Sequence, residues 1–277
     1  MEDRPGPRNA PQGSAMASPE PWDLVADGYA EELLPWGEHF AGIALDLAGL
    51  SAPAHIVDVA TGPGTLALLA AQRGLTVSAL DFSEAMIAHL RRRADEAGLD
   101  VHDVRVGDGQ ALPWDDDRFD GAFSMAGLIF FPDRDAGFRE LRRVLRPGRR
   151  AVVSSSAELP PPFLAVLEAI SRLLPDLPIS GGKMPLADAD EFAAEMAAAG
   201  FGQVRIETVR QTIVNASVDA FWDKLQRSAA PLVLLRKRLG DERWADLSAD
   251  VLARLRASHG DGPIDELYVA HLGVGSK

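Results

Sequence analysis

Residues 55–64, His-Ile-Val-Asp-Val-Ala-Thr-Gly-Pro-Gly, carry an apolar run into a glycine-bearing break, and the apolar residues 65–72 follow at once. That change of pattern predicts a strand, a tight loop and a helix start. Such a junction turns backbone N–H groups outward and lets a ligand approach where side chains are small. A second short apolar run, 76–80, ends in Asp81. A carboxylate at the end of that strand can hold the two hydroxyls of a ribose. A nucleoside-bearing ligand on a Rossmann-like sheet is therefore expected.

The stretch Gly62-Pro-Gly64-Thr-Leu-Ala67 also fits the dinucleotide pattern G-x-G-x-x-G/A, which on its own is weak. Charge separates the alternatives better. A pyrophosphate needs positive potential, yet Asp58 enters the loop and residues 56–72 contain no Lys or Arg. Carboxylates at Asp58, Asp81 and Asp108 suit a ligand that carries a ribose, an ammonium and a sulfonium, as S-adenosylmethionine does. The competing accounts are a solvated charge at a helix N-terminus for Asp58 and an N-cap near Ser83 for Asp81.

Further along, residues 101–106 read as a third strand and lead into Gly107-Asp108-Gly109-Gln110-Ala111-Leu112-Pro113-Trp114. Residues 118–125 form a fourth, and Phe131-Pro132-Asp133 opens a helix with Pro near its first turn. That helix ends at Arg146-Pro147-Gly148, before a fifth strand over 151–155. This ordered set resembles the class I S-adenosylmethionine-dependent methyltransferases, in the small-molecule branch related to ubiquinone and menaquinone biosynthesis. The resemblance runs over residues 22–156. It implies a doubly wound, seven-stranded α/β sheet of Rossmann-like type, with the last strand antiparallel and helical cap insertions. It also implies that Asp58, Ala60, Gly62 and Gly64, with Thr61 among them, line the methionine end of S-adenosylmethionine. Asp81 would bind the ribose. Phe82 and Met86 would lie beside the adenine, Asp108 would face its amino group with Gly109 and Gln110 alongside, and residues 124–126, Met125 among them, would floor the sulfonium. Tyr29 and Trp36 stand where that family places aromatics near the cofactor, and core packing explains both equally well. Two departures stand out: Ala60 replaces the first loop glycine, and Arg149 replaces a turn glycine.

The strand–helix alternation over 55–156 by itself predicts a parallel, doubly wound sheet. We expect a disordered leader over 1–19, a helical segment over 20–50 that covers the cofactor, and a main domain over 51–277 with cap insertions at about 160–200 and 215–260. The leader has four prolines and no apolar core of a signal peptide, and Met16 is a second candidate start. No run approaches the roughly 18 apolar residues of a membrane span, so a cytoplasmic location is the default. A net charge of −13 argues against nucleic acid. With no cysteines, disulfides and thiolate zinc sites are excluded, and no other metal or flavin cluster is legible.

Transfer from a sulfonium needs alignment and exclusion of water more than acid–base work. A base is required only for a hydroxyl or an acidic carbon. Among the six histidines, His39 in the pocket-bordering segment is the candidate base, with Asp133 second, although helix capping accounts for the latter as well. Phe130, Phe131, Trp222 and Trp244 would favour an apolar acceptor if they line the pocket. The reading is methyl transfer to a small molecule, oxygen favoured over carbon or nitrogen. The partners are that acceptor and, as an open option, a second copy of the chain, with neither nucleic acid nor membrane. The alternatives are a cofactor-binding protein that no longer transfers methyl groups, acting as a cyclase or partner subunit, and a NAD-linked oxidoreductase, which the loop charges disfavour.

Overall fold

Apolar runs that alternate with amphipathic ones assemble into one seven-stranded sheet in this computed structural model, which describes residues 14–32, 34–170, 173 and 184–277, with backbone only for 34–36. The strands are β1 (His55–Val59), β2 (Thr76–Asp81), β3 (Asp103–Val106), β4 (Phe119–Met125), β5 (Leu145–Glu158), β6 (Gly202–Asn215) and β7 (Ile264–Ser276). Their order is β3-β2-β1-β4-β5-β7-β6. The first five are parallel, and β7 runs antiparallel to both of its neighbours. From β1 the chain steps outward to β2 and β3, then returns to β4 on the other side. That reversal opens a crevice beyond the carboxyl ends of β1 and β4, the place where open α/β sheets bind ligands.

Ten helices flank and cap the sheet among the described residues: α1 (Glu20–Glu32), α2 (Leu34–Ala48), α3 (Thr65–Gln72), α4 (Glu84–Ala97), α5 (Arg134–Val144), α6 (Pro161–Ile170), α7 (Ala189–Ala198), α8 (Val218–Ser228), α9 (Ala230–Leu239) and α10 (Asp241–His259). Successive strand residues point to opposite faces. Val57, Val59 and Val153 therefore pack with Phe138, Leu141 and Phe192 of α5 and α7. Ile56, Val77 and Val152 pack on the other face with Ala44, Leu66 and Leu90 of α2, α3 and α4.

The cap has a core of its own, in which Phe221, Trp222 and Leu225 of α8 meet Val166 and Ile170 of α6 and Trp244, Val251 and Leu255 of α10. Trp222 and Trp244 stack at 5.9 Å, and their indole N–H groups donate to Ser248 Oγ (2.6 Å) and Gln226 Oε1 (3.0 Å). Both are buried. The expectation that these two tryptophans line a pocket is corrected: stacking and hydrogen bonding hold them in the cap interior. Between α8 and α10 the chain forms helix α9, with Pro near its start, where a missing N–H costs nothing.

Helix α1 is the strap across the open end of the sheet. Asp23 accepts from Ser83 Oγ (2.5 Å) and Ala85 N (3.2 Å), and His89 Nε2 meets Asp27 (2.7 Å). Glu20 pairs with Lys237 of α9 at 2.7 Å, and Glu32 pairs with Arg227 of α8. Gly28 lets the strap touch α8, since a Cβ there would stand 2.0 Å from the Arg227 carbonyl oxygen. The expected leader is corrected over 14–19. Ser14 caps a short turn over Ala15–Ala17, Met16 is buried with Val25, Met86 and Leu234, and Trp22 Nε1 donates to the Met16 carbonyl (3.0 Å). Residues 1–13 and 174–183 lie outside the described residues. No helix among the described residues is long and apolar enough to cross a membrane.

Candidate active site

Three residues of the β1–α3 loop hold left-handed backbone: Ala60 at φ 56°, Gly62 at 55° and Gly64 at 89°. Gly64 is required twice over, because its φ disfavours a side chain and a Cβ would come 2.7 Å from Leu90 Cγ. Ala60 keeps its Cβ in that region at a cost of roughly 1–2 kcal/mol. The loop after β4 presses against it, and a Cβ on Gly127 would lie 2.4 Å from the Ala60 Cβ. Helix α4 supports the loop from behind, where Arg93 donates to the Pro63 carbonyl at 2.6 Å.

Asp81, at the end of β2, is buried and accepts from the backbone N–H groups of Gly62 (2.8 Å) and Ser83 (2.9 Å). Burial pushes its carboxyl up to about 6 against those two hydrogen bonds. Asp58 is buried deeper, with Thr61 Oγ1 donating to its Oδ2 at 2.7 Å. Its Oδ1 has no hydrogen-bond partner. Burial lifts this carboxyl to about 7, with the charge of Asp81 adding to the rise. Two acidic groups behind one glycine loop, one with an orphaned oxygen, form a setting that favours a cationic group. A ligand with an ammonium near Asp58 and ribose hydroxyls near Asp81 fits that donor set.

On the far side, Asp108 Oδ1 accepts from Gln110 N (2.8 Å) and Gln110 Nε2 (3.0 Å), while Gln110 Oε1 accepts from Asp133 N (2.7 Å). Asp133 in turn caps α5 by accepting from Ala136 N (2.9 Å). Gly109 allows the β3–β4 loop to close in, since a Cβ there would meet Phe131 Cζ at 2.5 Å.

These loops surround a cavity of about 410 Å3, a usual size for a small-molecule site. Ten of the expected residues line it: Tyr29, Ala60, Gly62, Asp81, Phe82 and Met86, together with Asp108, Gly109, Gln110 and Met125. Asp58, Thr61 and Gly64 stand behind the loop and shape it rather than line the cavity. Trp36 belongs to α2, and its side chain lies outside the described residues. His39 is not brought to the cavity. It is exposed on α2, with its ring edge-on to Phe40 at 5.4 Å. No histidine lines the cavity among the described residues.

The other end of the cavity is built by residues that local pattern did not single out. Trp22 comes from the strap, Phe163 and Leu167 from α6, Leu225 from α8, and Ser156 and Tyr268 from β5 and β7. Phe130, beside Trp22 at 4.8 Å, lines this cavity as expected, and so does Phe131.

The sequence pattern of the family described as a methyltransferase domain matches residues 56–148. Over 185 residues the chain is 38% identical to demethylmenaquinone methyltransferase of Thermus thermophilus, a match that spans 59% of this chain and 81% of that protein. The chain belongs to the class I S-adenosylmethionine-dependent methyltransferases. Its branch is that of the ubiquinone and menaquinone methyltransferases, and its cofactor is S-adenosylmethionine. This methyltransferase is also 29% identical to nocamycin O-methyltransferase of Saccharothrix syringae over 248 residues, 81% of this chain and 85% of that one. The solved structure of the cyclase SpnF shares its fold, with a TM-score of 0.62, 19% identity and 99% of each chain covered.

Proposed function

We propose that this methyltransferase moves the methyl group of S-adenosylmethionine to the hydroxyl oxygen of a small, largely apolar acceptor, the S–CH3 bond breaking as the O–CH3 bond forms, S-adenosylhomocysteine leaving and the hydroxyl proton passing to bulk water. The observation that carries the reading is the two-ended cavity. One end has the glycine loop, Asp81 and Asp108, and the other is walled by Phe130, Phe163, Leu167 and Leu225 with few polar groups. When bound, the cofactor supplies a sulfonium-activated methyl group and its leaving group together. The chain then has to bind, orient and dry the acceptor. In this reading Asp81 holds the ribose hydroxyls, and Asp58, behind the glycine loop, attracts the ammonium through its charge. Phe82 and Met86 flank the adenine, with Asp108, Gly109 and Gln110 at its edge, while Gly62, Met125 and Ala126 lie under the sulfonium. Helix α1 and the cap exclude water.

Oxygen is favoured over carbon by the reach of the relatives. The match to the Paracoccus denitrificans enzyme named a C-methyltransferase covers 54% of this chain. The match to the enzyme named an O-methyltransferase covers 81%, a larger share of this chain. The test is release of S-adenosylhomocysteine from S-adenosylmethionine with matched apolar acceptors: 2-naphthol, 2-naphthylamine and 2-naphthoic acid. Turnover is expected with the naphthol first. Turnover with the amine alone, or with none of the three at any concentration, counts against the reading.

A further inference from the structure

The chain has two tyrosines, and both line the cavity. Tyr29 lies beside Asp81 at the cofactor end. Tyr268 projects from β7 under the cap, next to a buried polar cluster that cofactor binding does not require. Glu266, two residues earlier on the same strand face, is fully buried and paired with Lys224 of α8. It also accepts from Asn215 Nδ2 (2.7 Å) and from the Tyr268 hydroxyl (2.8 Å). A carboxylate held by an ammonium can only accept, so the phenol proton is committed to Glu266. What the phenol can present to the cavity is its oxygen as an acceptor. Directly across the β6–β7 pairing stands Gln211, whose Oε1 is buried without a donor. Neither Gln211 nor Glu266 lines the cavity, so of this cluster it is Tyr268 that meets the otherwise largely apolar wall.

We propose that Tyr268 is the residue that recognises the methyl acceptor, by accepting a hydrogen bond from its hydroxyl. The proposal rests on the hydroxyl-directed reading above. Glu266, Lys224 and Asn215 are positioning residues that fix the direction of the Tyr268 proton. A consequence follows for product release. An O-methylated product has no proton to donate, so it loses this contact, while the substrate keeps it. Tyr268 therefore separates substrate from product at one atom.

The test uses the full chain saturated with S-adenosylhomocysteine and two probes of nearly equal shape, 2-naphthol and its methyl ether 2-methoxynaphthalene, with binding followed by calorimetry. The wild type is expected to favour the naphthol by roughly three- to tenfold, the range of one net hydrogen bond. In Tyr268→Phe the preference is expected to fall to about one, with affinity for the ether and for S-adenosylhomocysteine retained, which also shows that the variant is folded. Equal binding of the two probes by the wild type overturns the proposal and leaves the methyl-transfer reading standing. A preference that survives in Tyr268→Phe overturns it as well and moves recognition to another group, such as Ser156. Failure of the wild type to bind either probe counts against the apolar hydroxyl acceptor itself.

Discussion

Replacing Asp58 with asparagine removes one titrating group from behind the glycine loop and should change how stability depends on pH. The carboxyl titrates near 3.8 in the open chain and at about 7 in the folded protein. Between those values the folded state keeps a proton that the unfolded chain has released. The contribution is therefore fully present below pH 4 and is lost as pH rises through 7. The full loss is on the order of 4 kcal/mol. An asparagine side chain cannot titrate, so the stability of the wild type relative to Asp58→Asn should fall by about 2–4 kcal/mol between pH 4.5 and pH 8. Asp81, held up at about 6, remains in both proteins and largely cancels in the difference. Urea unfolding of the two proteins, without ligand, at half-unit steps measures this directly. Calorimetry adds a second reading: affinity for S-adenosylhomocysteine should rise with pH up to about 7 in the wild type, because the ammonium favours ionised Asp58. The variant should bind more weakly and lose most of that pH dependence. Parallel stability curves for the two proteins would refute the burial argument.

Asp81→Ala should weaken cofactor binding by roughly 1.5–3 kcal/mol, the scale of charge-assisted hydrogen bonds, and unchanged affinity in calorimetry would contradict its role. Gly28→Ala would place a Cβ 2.0 Å from the Arg227 carbonyl oxygen, so α1 must lift from α8. Urea unfolding should show a loss of about 1–3 kcal/mol. Gly109→Ala would push against Phe131 at 2.5 Å and narrow the cavity it lines, which should raise the dissociation constant for S-adenosylhomocysteine in calorimetry. By contrast His39→Ala, at an exposed position outside the cavity, should leave stability within about 0.5 kcal/mol and turnover unchanged; a large fall in turnover would return His39 to the site.

The cofactor end was legible in the sequence because its parts are local. Asp58, Gly62 and Gly64 sit within one strand–loop–helix junction, and Asp81 and Asp108 follow at the ends of the next two strand units, so spacing together with the family resemblance pointed to them as candidates. The sheet was legible for the same reason, since Ile56 and Val57 alternate toward two faces and β1, β2 and β4 each lead into a helix before the next strand. The acceptor end was not. Trp22, Phe163, Leu225 and Tyr268 come from four separated segments, and only tertiary packing brings them together. Trp222 and Trp244 show the converse difficulty: an aromatic at helical spacing reads the same whether it faces a ligand or a cap core, and here the two pack on each other. Met16 was hidden by its setting among prolines. Glu266 carried one available signal, an acidic residue on the inward face of a strand otherwise built for burial, and that signal leads to Tyr268.

The direction in which the cofactor lies across the cavity decides which end receives the methyl group, and a crystal structure of the complex with S-adenosylhomocysteine tests it most directly. The ribose hydroxyls should lie on the Asp81 carboxylate and the ammonium at the glycine loop on the side of Asp58, with the sulfur facing the compartment of Phe130, Leu225 and Tyr268. A ligand bound with its sulfur turned away from that compartment, or held without contact to Asp81, would contradict this placement.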